Sequence, residues 1–150
     1  MTYKVLLERV GARPIAAVRA RMPIVDVPRR FGPLLSQVYE AARTGAITLD
    51  GLNVFVYRDA ADGQVDVEFG VGVAGPFAAL GSVVYSETPT GEAVTTTHWG
   101  EYSDLGRSYD ALKAWCVEHG RRLAGPRWER YGHHSDDPAT RRTDVYCLLA

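Results

Sequence analysis

His98-Trp99-Gly100-Glu101-Tyr102-Ser103-Asp104-Leu105, followed downstream by Gly125-Pro126-Arg127-Trp128-Glu129-Arg130-Tyr131, is the part of this 150-residue chain that decides its fold. The first stretch reads as a strand that ends and turns into a helix. That helix is predicted over Ser103–His119, with Leu105, Tyr109, Leu112, Trp115 and Cys116 on one apolar face and Gly120 as its stop. The second stretch reads as a strand, Pro126–Tyr131, carrying one carboxylate, Glu129, among aromatic side chains. A polar loop, His133 to Arg142, then leads to a last strand, Thr143–Leu149.

Working outward, the same order of elements appears upstream. Lys4–Arg9 and Pro14–Met22 have strand composition. A helix is predicted from about Pro28 to Thr44, with Asp26 ahead of it, Phe31, Leu34, Leu35, Val38, Ala41 and Ala42 on one face, and Gly45 after it. Strands Leu52–Tyr57 and Val65–Val73 follow, joined by the turn Asp59-Ala60-Ala61-Asp62-Gly63. Gly81–Thr88 and Glu92–Trp99, linked by Pro89-Thr90-Gly91, read as a hairpin.

Each half is therefore strand-strand-helix-strand-strand, over roughly residues 3–74 and 80–150. A shift of 74 positions lays Leu35 on Tyr109, Val38 on Leu112, Ala41 on Trp115, Phe55 on Glu129 and Tyr57 on Tyr131. The expectation is a single α+β domain over 1–150 built from a duplicated unit. It would have an antiparallel sheet, two main helices and a central ligand groove on a pseudo-twofold axis.

Composition narrows the function. Hydrophobic residues make up 46% and charged residues 23%, and 17 basic against 18 acidic side chains give a net charge of −1. No block of like charge occurs, and the densest basic clusters are the pairs Arg29-Arg30, Arg121-Arg122 and Arg141-Arg142, which argues against a nucleic-acid surface. No apolar run is long enough to span a bilayer, and charge interrupts the N-terminal stretch too early for a signal peptide, so a cytoplasmic protein without membrane contact is expected. Cys116 and Cys147 lie in apolar patterns and read as buried thiols. His133 and His134, with Asp136 and Asp137, match no standard metal spacing. Gly70-Val71-Gly72-Val73-Ala74-Gly75 lacks the helix that a dinucleotide-binding turn requires, and no nucleophile motif is present. No metal or cofactor is expected.

The motifs together resemble the GyrI-like family, the effector-binding domains of AraC- and MerR-type multidrug regulators and of stand-alone proteins. The family's His-x-Gly-x-Tyr-x-x-Leu stretch is matched by His98, Gly100, Tyr102 and Leu105. Its Gly-Pro followed by a strand with Glu shortly before Tyr is matched by Gly125-Pro126, Glu129 and Tyr131, and Val67-Glu68-Phe69-Gly70-Val71 fits the last strand of the first half. The resemblance runs from about residue 3 to 149. It implies a groove for apolar, often cationic, small molecules around a glutamate. No helix-turn-helix segment precedes the module, which points to a stand-alone binding protein, monomer or homodimer, that sequesters or senses drugs or secondary metabolites. Some stand-alone members are similar to hydrolases that open cyclopropane rings; there Glu129 would be the general base, with Tyr131 or Tyr146 as hydrogen-bond donor. The family name also suggests interaction with gyrase, which no stretch of this sequence supports.

For Glu129 the sequence leaves two readings: a surface residue paired with Arg127 or Arg130, or a carboxylate set into an apolar groove at a cost of several kcal/mol unless compensated. Trp99, Trp128, Phe55, Tyr57, Tyr85, Tyr131 and Tyr146 are the candidate ligand-contacting aromatics, each with core packing as its alternative. Trp115 is assigned to the core. Glu68 is either on a solvated face or a second carboxylate for the ligand. His98 reads first as a hydrogen-bonded anchor of the strand–helix junction.

Overall fold

The computed structural model describes residues 2–150. Along the chain run β1 (Leu6–Val10), β2 (Pro14–Pro23), α1 (Val27–Arg43), β3 (Leu49–Asp59), β4 (Gln64–Val73), β5 (Val83–Glu87), β6 (Gly91–Trp99), α2 (Leu105–His119), β7 (Leu123–Tyr131) and β8 (Arg142–Leu149). The fold class is α+β, with antiparallel strand pairing in each of two compact units. Ala12–Thr88 holds strands in the order β3-β4-β2-β5 with helix α1. The residues up to Gly11, together with Pro89–Ala150, hold β1-β6-β8-β7 with helix α2. Read from the strand that follows the helix, both sheets have one order.

One expectation is corrected. Gly81–Thr88 and Glu92–Trp99 do not form a hairpin: β5 pairs with β2, from Pro14↔Glu87 to Val18↔Val83, while β6 pairs with β1 and β8. The link Pro89-Thr90-Gly91 lacks the two-residue turn chemistry of a hairpin. Thr88 instead locks to Arg13: its N–H donates to the Arg13 carbonyl at 3.0 Å and its hydroxyl accepts the Arg13 N–H at 2.9 Å. The first strand of each sequence half thus joins the unit whose helix lies in the other half.

In the unit carrying α2, Leu112 and Cys116 pack on Val94, Val145, Cys147 and Leu149, with Val5, Leu105, Tyr109 and Trp115 around them. Both cysteines are buried and free, as their apolar setting predicted. Helix α2 begins two residues later than the periodicity suggested, because Tyr102–Asp104 wind as a 3-10 turn, and Gly120 ends it in the left-handed conformation (φ 64°). In the other unit Val38, Val67, Phe69 and Val71 are fully buried. Gly72, one of the glycines of the discarded dinucleotide pattern, serves packing: a Cβ there would lie 2.7 Å from the Gly51 Cα, where the β3–β4 register shifts. Among the described residues no helix is long and apolar enough to cross a membrane.

Candidate functional site

Strand alternation decides which way Glu129 faces. Its partner on β8 is Val145, a member of the core under α2, so Glu129, with Arg127 and Tyr131, points to the helix side. Trp128 and Arg130 point to the other side. There Trp128 stacks on its cross-strand partner Tyr146 (centroids 5.1 Å apart, planes 3° apart), and Arg130 donates to Asp144 at 3.0 Å and to the Tyr146 hydroxyl at 3.3 Å.

Glu129 is buried, only 6% exposed. Of its two candidate arginines, Arg130 is committed to Asp144 across the strand, so the surface-pair reading with Arg130 does not hold. The Tyr109 hydroxyl, on α2, donates to Glu129 Oε2 at 2.6 Å, and the Tyr131 hydroxyl donates to Oε1. Hydrogen bonds to an ionised acceptor are short and about twice as strong as neutral ones, and two of them offset much of the cost of burying this carboxylate. Tyr102, from the turn ahead of α2, meets the Tyr131 ring edge to face at 5.8 Å, and the Arg141 guanidinium lies over Tyr102 at 5.7 Å. The cluster therefore brings a carboxylate, phenol donors and aromatic rings together at the contact between one helix and one strand.

In the other unit Phe55 takes the corresponding place. It packs on Phe31 of α1 at 5.6 Å and edge-on to Phe69 at 4.9 Å, and Tyr57 follows it on the same face. Where one helix–sheet contact has Tyr109, Glu129 and Tyr131, the other has Leu35, Phe55 and Tyr57. Glu68 pairs in register with Val56, so it alternates away from Phe69. It is buried on that opposite face with Arg19 Nε and Arg58 Nη1 each 3.1 Å from its oxygens. Tyr85, on the edge strand β5, donates to Glu87 at 3.1 Å. Trp99, at the end of β6, is 47% exposed beneath the Arg142 guanidinium. The predicted residues thus fall into separate settings: Glu129 and Tyr131 come together, Trp128 and Tyr146 stack across the strand from them, and Phe55, Tyr57, Glu68 and Tyr85 belong to the other unit.

Two residues of the cluster had no site role in the sequence reading. In sequence Tyr109 belongs to the apolar helix face, although its counterpart Leu35 is a cue, because a hydroxyl in place of a leucine needs a partner. Tyr102 stands in sequence only as part of the strand–helix motif. His98, nearly fully buried, anchors that junction. Its Nε2 donates to the Glu101 carbonyl at 2.8 Å, and its Nδ1 is hydrogen-bonded to the Tyr3 hydroxyl at 2.8 Å. Asp144 is buried too. Burial works to raise its carboxyl, but hydrogen bonds from Arg130, Arg142 and Thr97 outweigh it and hold the group below the ordinary carboxylate range.

One helix over each four-stranded sheet, with a buried polar cluster at one helix–sheet contact, defines the class: a small α+β binding domain. The chain belongs to the GyrI-like small-molecule-binding domain family, whose model matches residues 4–149. Among solved structures it is similar to the EcmrR C-terminal domain (TM-score 0.83, 23% identity, covering 100% of this chain and 99% of that one). It is also similar to SAV2435 bound to tetraphenylphosphonium (TM-score 0.65, 7% identity, 100% and 94% covered) and to a hydrolase from Listeria innocua (TM-score 0.63, 11% identity, 98% and 92% covered). At such identities the likeness is one of fold. No curated protein matches the chain.

Proposed function

We propose that this protein binds apolar, cationic small molecules at Glu129. The observation that carries this reading is the buried carboxylate gripped by two phenols, Tyr109 and Tyr131, beside a third aromatic ring, Tyr102. A carboxylate in a poorly solvated setting attracts a cation more strongly than one in water, and aromatic faces add contact area and further attraction. The phosphonium cation held by SAV2435, which has the same fold, agrees in chemistry. A fluorescence titration with a rhodamine dye tests the reading. Glu129→Gln is expected to weaken binding by about tenfold or more, which corresponds to about 1.4 kcal/mol. Unchanged affinity in that variant removes Glu129 from the site.

Ring-opening hydrolysis is less well supported. The Tyr131 hydroxyl, which that chemistry would direct at a developing oxyanion, is directed at Glu129, and Tyr146 lies across the strand with Arg130 bonded to its oxygen. Ring-opened product from a cyclopropane-bearing alkylator incubated with catalytic amounts of protein would reverse this preference.

A further inference from the structure

A second recess lies at the other end of the His98–Leu105 motif, within the unit that carries α2. A cavity of about 340 Å³ is lined by Tyr3, Trp99, Glu101, Asp104, Arg107 and Pro138, together with His98, Gly100 and Ala139. That volume is at the small end for ligand sites, which run from about 300 to 1,000 Å³. Its floor is fixed by His98, buried and held from both ring nitrogens by Tyr3 and the Glu101 carbonyl.

The charges at its wall are of both signs, and they differ in commitment. Glu101 at the rim is paired with Arg141 at 3.4 Å. Asp104 and Arg107 are not paired: among the described residues neither side chain makes a hydrogen bond or ion pair. Asp104 sits at the N-cap of α2, where an aspartate ordinarily accepts a backbone N–H of the first turn, yet its side chain makes no such bond. Burial raises the Tyr3 phenol above its ordinary range, while Arg107 pulls it down and Asp104 pushes it up, so both charges act on the same lining group. Three positions apart at a helix start, the two residues lie on one side of the chain. Trp99 supplies an aromatic wall, half exposed, and Pro138 and Ala139 supply small apolar contacts.

We infer that this cavity is a second ligand site, distinct from Glu129, for a small zwitterion: a free α-amino acid with an apolar or aromatic side chain. Arg107 takes the carboxylate, Asp104 takes the ammonium, and the side chain lies against Trp99 and Pro138. A guanidinium matches a carboxylate with two parallel N–H donors, and a carboxylate accepts from an ammonium, so the pair reads the amino-acid head group with both charges satisfied.

Calorimetric titration of the full chain with L-phenylalanine, phenethylamine and 3-phenylpropanoate tests the inference, alongside the NMR signal of the Trp99 indole. L-Phenylalanine is expected to bind saturably and shift the Trp99 resonance, and each single-charge analogue is expected to bind at least tenfold more weakly. Arg107→Gln and Asp104→Asn should each weaken L-phenylalanine by a similar factor; asparagine is an equally good N-cap residue, which protects the fold. Glu129→Gln should leave this binding unchanged, so the two sites succeed or fail separately. Phenethylamine or 3-phenylpropanoate binding as well as L-phenylalanine would overturn the zwitterion assignment, and an unmoved Trp99 signal at saturating L-phenylalanine would overturn the site.

Discussion

Tyr109 on α2 donates its phenol hydrogen to Glu129 on β7 across 2.6 Å, tying the helix to the sheet through a buried carboxylate. Because Tyr131 takes the other oxygen, the two phenols and the carboxylate act as one unit, and single deletions misstate what each bond contributes.

A double-mutant cycle measures that unit. Tyr109→Phe keeps the ring against the core and removes only the hydroxyl. It should lower the free energy of unfolding in urea by about 1.5–3 kcal/mol, the usual range for a hydrogen bond to a charged group. In a Glu129→Gln background the same change should cost less, leaving a coupling of at least about 0.5 kcal/mol. Purely additive losses would mean that the contact is incidental.

Glu68 offers the contrast. Both of its oxygens are held by arginines on the face away from Phe69, a geometry that serves folding. Removing its charge leaves Arg19 and Arg58, with side chains 62% and 44% exposed, able to turn to water. Glu68→Gln should therefore cost about 1–2 kcal/mol of stability and leave rhodamine affinity within about twofold. Tenfold weaker binding at unchanged stability would make Glu68 a ligand group.

How much of this was legible beforehand depends on what carries each feature. Helix and strand identities follow from local periodicity, so α1 and α2 fall within two residues of expectation and the thiols lie in the predicted core. The partner of β5 was not legible, because strand pairing is a long-range choice and here it is set by the Thr88–Arg13 lock and not by turn composition. Strand alternation placed Glu129 opposite Trp128 correctly, but it could not tell which face the helix covers or that Tyr109 would reach across to it. Glu68 shows the same limit. Its sequence neighbours fit a ligand-bearing strand as well as an ion-pair ladder, and only the register with Arg19 and Val56 separates the two.

Asp144 gives an acid-side test. Its folded carboxyl is held below the ordinary value, so the folded state binds fewer protons than the unfolded chain over that range. The stabilisation is present above the unfolded value of about 3.9 and is lost as pH falls through the folded one. Asp144→Asn should lower the urea midpoint clearly at pH 7, and the gap from the parent protein should narrow steadily below about pH 4. A gap that stays constant from pH 7 to pH 3 would show that the arginines contribute through packing alone.

Cys147 gives the alkaline counterpart, with the opposite sign. Burial, reinforced by Cys116 and Glu129 against Arg127 and Lys113, pushes its thiol up to about 12. In the unfolded chain a thiol ionises near about 8.5, so above that pH the unfolded state sheds a proton that the folded state keeps. The contribution is fully present below about pH 8.5 and declines towards pH 12 by at most about 1.4 kcal/mol per pH unit. Cys147→Val keeps an apolar side chain of similar size without the titrating group, so its urea midpoint should fall less between pH 8 and pH 10 than that of the parent protein. At pH 8 the native parent should also react with a disulfide reagent far more slowly than the urea-unfolded chain, since the thiolate is the nucleophile and the folded protein holds almost none. Rapid modification of Cys147 in the native state would show that this side of the sheet opens without global unfolding.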